Sequence, residues 1–178
     1  EHGEYPKSDT DQTIYPKRRL FGEVFKIFEK SGNVVPVFSD KHLADNWKDA
    51  KWIYDTAQKM KVPLMAGSSV PSAWRYPPID VRRGAELKEI VAVAYGPLDA
   101  YGFHALEMVQ SLAERRKSGE TGVARVRCVT GDQIWKGKFF DRVLLDEALG
   151  RLKDRPIPEG KRVEDMVKKP VLFQIEYR

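Results

Sequence analysis

A chain of 178 residues with 42% hydrophobic content can bury a real core, which excludes a disordered segment. Thirty-one Lys and Arg against 26 Asp and Glu leave a net charge of +5, but the basic residues fall in short clusters (Lys17 to Arg19, Arg82 and Arg83, Arg115 to Lys117) with no zinc-finger spacing, aromatic RNP signature or continuous basic helix, so nucleic acid is not the expected partner. The single cysteine, Cys128, excludes an internal disulfide and a cysteine metal cluster. No apolar run reaches the ~20 residues that cross a bilayer, so a reducing, cytoplasmic setting without a membrane is expected.

Both ends read as cuts through a longer protein: the chain opens on Glu1-His2-Gly3-Glu4 and closes on an alternating strand, Val171 to Arg178, with no turn after it. Residues 5 to 19, rich in Pro, Asp, Thr and Lys, read as an irregular loop. Next, Phe21, Val24, Phe25 and Phe28 recur at i, i+3, i+4 and i+7, which predicts a helix stopped by Gly32. Val34-Val35-Pro36-Val37-Phe38 is a continuous apolar run of the kind found in a strand buried on both faces. The pattern then repeats. Asp45 is placed to cap a helix carrying Trp47, Ala50, Ile53, Tyr54, Ala57 and Met60, and Pro63 to Ala66 is a second buried strand ending at Gly67. Alternating helix and strand predict a crossover between parallel neighbours.

A Pro-rich connection over residues 67 to 84 breaks this rhythm, and a domain boundary falls near residue 70. Beyond it the chain predicts a strand at 89 to 95, a helix at 101 to 117, a strand at 123 to 129, a helix at 141 to 153 and the final strand. Alternation of Ala124, Val126 and Cys128 with Arg125 and Arg127 predicts a sheet buried on one face only. The fold class is therefore α/β: the C-terminal part of a parallel, Rossmann-like sheet in residues 1 to 70, then an α+β domain with a mixed or antiparallel sheet in 71 to 178.

Ligands of an open parallel sheet bind beyond the carboxyl ends of its strands, where loops and helix N-termini converge. Ser39-Asp40-Lys41-His42 lies at that edge. Lys41 could exchange a proton there, or could be a surface lysine paired with Asp40. His104, near the start of an amphipathic helix, could be a catalyst or a packed or capping side chain. Trp74 and Arg75, in the connection between the two parts, could meet a polar substrate or cover a hinge.

Two of these segments carry a resemblance. Val35 to Ala44, followed by a helix and Val62 to Gly67, resembles the Gfo/Idh/MocA oxidoreductases, whose Glu-Lys-Pro motif follows a strand in the same way; Asp40 stands at the Glu position, Lys41 at the Lys position, and His42 replaces the proline. Gly102-Phe103-His104-Ala105-Leu106-Glu107 resembles the family's Gly-x-His-x-x-Asp signature. The acidic residue usually four positions before the histidine is Ala100 here, with Asp99 beside it. The resemblance covers about residues 34 to 113. It implies hydride transfer between NAD or NADP and a sugar-like or polyol substrate, with Lys41 and His104 as catalytic residues approaching one another across the domain boundary. It further implies His2, Asp40 and Lys41 near the cofactor, and His42, Trp74, Arg75 and Glu107 near the substrate. No Gly-x-Gly-x-x-Gly occurs in the chain, so the pyrophosphate site cannot be built from it. Two alternatives remain open: a metal-dependent lyase or hydrolase using His2, Asp40, His42, His104 and Glu107, and a family-like binding subunit without catalysis. A homo-oligomer formed through the sheet of the second part is expected by analogy.

Overall fold

The computed structural model describes residues 4–76, 78, 80–153 and 156–178; His2 therefore lies outside the described residues, as do Pro77 and Ile79 of the connection. The chain is mixed α/β, with a two-stranded parallel sheet and a separate two-stranded antiparallel sheet. It divides into two compact units. One comprises Glu1–Trp74 with Tyr95–Glu107, the other Arg75–Ala94 with Met108–Arg178. Residues 95 to 107, read with the second part of the sequence, thus belong to the first unit.

In the first unit, helix α1 (Lys17–Ser31) takes up the last three residues of the stretch expected to be loop and begins just after Pro16. Its apolar stripe buries Phe21, Phe25 and Phe28, and Gly32 ends it with φ 69°, a left-handed position in which its N–H donates to the Phe28 carbonyl. Strand β1 (Val37–Asp40) leads to helix α2 (Trp47–Lys59), which is capped by Asn46 rather than Asp45: the Asn46 Oδ1 accepts the Asp49 N–H at 2.9 Å. The expected cap was off by one because both residues have suitable side chains, and Asp45 instead accepts a 2.9 Å bond from the Asn46 amide. Strand β2 (Leu64–Gly67) pairs with β1 in parallel, from Val37 opposite Leu64 to Asp40 opposite Gly67.

Phe21, Phe25, Phe28, Ile53, Ala57 and Val62 form the core of this unit, with Val37 and Leu64 packed against it from the sheet. The expectation of strands buried on both faces is corrected. Val34 and Val35 lie outside β1 and are exposed, while Phe38 and its partner Met65 are 56% and 69% exposed on the face opposite Val37 and Leu64. Strand alternation sends successive residues to opposite faces, and among the described residues the core lies against only one of them.

The second unit begins with residues 75 to 94, where the predicted strand at 89 to 95 is absent. Val91 and Val93 pack on a cluster of Leu145, Leu149 and Val163 without joining a backbone ladder. Alternate burial alone satisfied the apolar side chains, and periodicity cannot report whether a partner strand exists. Helix α3 (Phe103–Ala113) is shorter than expected and follows a single π-helical turn, Leu98–Gly102. Strand β3 (Val123–Thr130) pairs antiparallel with β4 (Val171–Tyr177). Only Val129 of β3 is buried, so the expectation of one buried face is also corrected: a ribbon of two strands has too little surface to bury a face by itself.

Short helix α4 (Gln133–Lys136), helix α5 (Arg142–Gly150) and short helix α6 (Val163–Met166) complete the unit. Asp141 caps α5 by accepting the Val143 and Leu144 N–H groups at 2.7 and 3.3 Å. The helix stops at Gly150 rather than 153. Among the described residues no helix is long and apolar enough to cross a membrane.

Candidate active site

Parallel pairing decides where the site forms. Because Asp40 is opposite Gly67, the residues that follow, Lys41 and Ser68, leave β1 and β2 at the same carboxyl edge of the sheet. The π-helical turn and the first residues of α3 belong to the same unit, so His104, Glu107 and Asp99 are also available there.

His42 is the meeting point. Its half-buried ring packs edge-to-face on Phe103, with centroids 5.0 Å apart and planes at 82°. Its pKa is held below the usual histidine value, chiefly by burial and then by the Lys41 charge, with a smaller opposing pull from Asp99 and a further lowering by His104. Lys41, Asp99 and His104 are thus each close enough to act on His42 electrostatically. The peptide bond joining Lys41 to His42 is cis. Among the described residues no ion pair joins Lys41 to Asp40. Asp40 is exposed, and its backbone carbonyl accepts bonds from Lys17 Nζ and Ser39 Oγ, both at 3.3 Å.

His104 is held from the end of β2. Ser68 Oγ lies 2.5 Å from its Nδ1, and the same Oγ accepts the Val70 N–H at 3.0 Å. Tyr101 stands edge-on to the imidazole at 6.4 Å between centroids. Glu107 has a different task from its neighbour: its Oε2 accepts the Ser68 N–H at 3.1 Å, tying the end of β2 to α3. Gly67 makes room for that carboxylate. A Cβ there would stand 2.6 Å from Glu107 Oε2, and the φ of 146° is one that L side chains rarely adopt. Asp99 is likewise engaged, accepting the Thr13 N–H at 3.1 Å through Oδ2.

Of the residues expected at the site, Lys41, His42, His104 and Glu107 come together in one unit, and Asp40 sits beside them in β1. Trp74 ends the first unit with a fully exposed side chain, and Arg75, half-buried, opens the second. Among the described residues no three His, Cys, Asp or Glu side chains converge as a metal site would require. An open groove of about 330 Å³ between α1 and β1, lined by Leu20, Phe21, Val24 and Val37 with Lys17 and Asp40, includes neither Lys41 nor His104.

Sequence reading missed Ser68. A signal was present, since Ser68-Ser69 follows a strand-ending glycine at the carboxyl edge of a parallel sheet, but its partner is 36 positions away. No protein-family model, curated protein or solved structure matches the chain.

Proposed function

We propose that this chain carries the catalytic side of a Gfo/Idh/MocA-like oxidoreductase that transfers hydride between NAD or NADP and a sugar-like or polyol substrate, and that its first unit is the C-terminal part of a Rossmann-like domain. The supporting observation is the gathering of Lys41, His42 and His104 at the carboxyl edge of the parallel β1–β2 pair. Resemblance in two separate sequence motifs picks out the same residues.

The residues present suit only one end of a dinucleotide. Lys41, free of Asp40, would face the nicotinamide, whereas the sequence has no glycine-rich turn for the pyrophosphate. When bound, that cofactor supplies the hydride acceptor or donor. The chain's own part is the proton chemistry. In the oxidative direction the substrate hydroxyl would lie between Lys41 Nζ and the imidazole of His104; Lys41 releases one ammonium proton to solvent and takes the hydroxyl proton in its place, so its charge is retained and, with the imidazole, stabilises the developing alkoxide. His42, kept neutral by burial and by the neighbouring Lys41, lines the site without adding a second positive charge. Cytoplasmic location and self-association through the β3–β4 ribbon belong to the same reading.

Lys41→Met tests it, made in the full-length gene product and assayed against a panel of polyols and sugars. Methionine keeps much of the stem's volume and removes the charge and the donors. Turnover should fall by about 10²- to 10⁴-fold, equivalent to about 3 to 5 kcal/mol, with cofactor binding nearly unchanged. Unchanged turnover in the variant would remove the assignment of Lys41, and the absence of any nicotinamide-dependent activity in the wild type would favour a binding subunit.

A further inference from the structure

We propose that Ser68 is the positioning residue for His104, setting its tautomer so that the imidazole presents an N–H, not a lone pair, at Nε2. This deepens the oxidoreductase reading, and rests on it only for the identity of the group that Nε2 meets.

A histidine that acts on a bound oxygen needs its ring held in one orientation and its single proton placed on one nitrogen. An acidic partner four residues earlier is the arrangement suggested by the sequence motif, but that position is Ala100, which has no side-chain oxygen. The adjacent carboxylate is occupied: Asp99 Oδ2 takes the Thr13 N–H at 3.1 Å. Glu107, three residues beyond the histidine, is directed to the Ser68 backbone at 3.1 Å. Both nearby carboxylates hold backbone N–H groups, and the described side chain within hydrogen-bond distance of the imidazole is that of Ser68, 2.5 Å from Nδ1.

The direction of that bond follows from which acceptor the hydroxyl proton meets. Ser68 Oγ already accepts the Val70 N–H at 3.0 Å, which uses one lone pair and fixes the oxygen at the end of β2. Its remaining assets are one proton and one lone pair. If Nδ1–H donated to it, the hydroxyl would accept twice and turn its own proton to solvent, a weaker acceptor than the lone pair of an imidazole nitrogen. If the hydroxyl donates, both groups are satisfied, and the proton of the neutral ring is left on Nε2. The site therefore offers two donors to a substrate oxygen, Lys41 Nζ and His104 Nε2–H. That arrangement suits polarising a carbonyl or holding an alkoxide, and leaves proton relay to Lys41.

The anchoring is built in two layers. Gly67 admits the Glu107 carboxylate, which fixes the Ser68 backbone, while Val70 fixes the Ser68 hydroxyl. A serine on a free loop would lose rotamer entropy on making the bond; this one is already held.

Imidazole nitrogen shifts of the ¹⁵N-labelled 178-residue chain, recorded at a pH where the histidines are neutral and assigned with His104→Gln, test the idea without reference to activity. Wild type should show an unprotonated Nδ1 and a protonated Nε2 for His104. Ser68→Ala should lower the tautomer ratio by roughly three- to tenfold, the bias that one hydrogen bond of ordinary strength supplies. Ser68→Thr, which retains the hydroxyl, should restore it. A proton on Nδ1 in the wild type, or an unchanged ratio in a folded Ser68→Ala, overturns the proposal; should Ser68→Ala not fold, the wild-type and Ser68→Thr spectra decide. The two proposals fail separately: loss of the Lys41 assignment leaves the tautomer result standing, and a wrong tautomer leaves the Lys41→Met kinetics standing.

Discussion

The two units solve the problem of holding a fold together in different ways. The first does it with apolar volume: α1 and α2 each contribute a helical stripe, and six buried residues meet in one cluster in which Ile53 and Ala57 have no exposed surface. Among the described residues the second buries as many apolar side chains but does not gather them in one place. Its cluster holds only Leu145, Leu149 and Val163 of them, β3 is exposed apart from Val129, and the indole N–H of Trp135 is buried without a described hydrogen-bond partner. Polar ties are more prominent there, as in the two-pronged pairing of Arg142 with Glu164 at 2.6 and 3.2 Å, and the Tyr177 hydroxyl donating to Gln110 at 2.6 Å. The lesson is that an amphipathic helix pair can close a core locally, whereas a two-stranded ribbon cannot.

The largest expected effect tests that contrast directly. Ile53→Ala should cost about 3 kcal/mol, from lost transfer energy and the cavity left behind, while Leu145→Ala, at a site already 8% exposed, should cost about 2 kcal/mol. Urea unfolding followed at Trp52, which packs on Phe25 in the first unit, and at Trp135, which packs on the second cluster, reads the two losses. Equal costs at the two positions would break the distinction between a closed and a partly open core.

A smaller effect sharpens the polar side. Glu164→Gln removes a carboxylate that accepts two bonds from Arg142, and because the arginine is 40% exposed the loss should be about 1 kcal/mol. The Arg142 hydrogen bonds hold the Glu164 pKa below its usual value. A depressed carboxylate stabilises the fold above its unfolded pKa, and that contribution disappears as pH falls through the lower folded value. Acid titration of Trp135 fluorescence should therefore show a low-pH loss that Glu164→Gln reduces.

The smallest effect belongs to the first unit. His42 also has a lowered pKa, from burial first and from Lys41 second. The unfolded chain then binds the proton more readily than the folded one, so this contribution to stability is full above the ordinary histidine value of 6.5 and declines as pH falls from there through the lower folded pKa. Stability of the first unit should drop slightly over that interval in the wild type and less in His42→Gln. Identical pH profiles for the two proteins would show that His42 is not the group responsible.

What the sequence determined by itself was whatever depends on neighbours within a few residues. The stripe Phe21, Val24, Phe25, Phe28 and the glycine after it place α1, because helical burial and left-handed capping are local requirements. The helix expected to begin at residue 141 likewise starts there, as α5 with Asp141 at its cap. Lys41 and His104 were legible as candidates because each lies in a short motif, and the parallel pairing of β1 with β2 followed from alternating helix and strand. Tertiary structure alone decided the rest. Val91 and Val93 alternate as a strand would, yet have no ladder, since hydrogen-bond partners come from distant backbone. Phe38 and Met65 read as buried, yet lie on the open face of a sheet whose other face meets the core. The pairing of Ser68 with His104 joins residues 36 positions apart at an edge that exists only once β1 and β2 are aligned, so no local pattern could have recorded it.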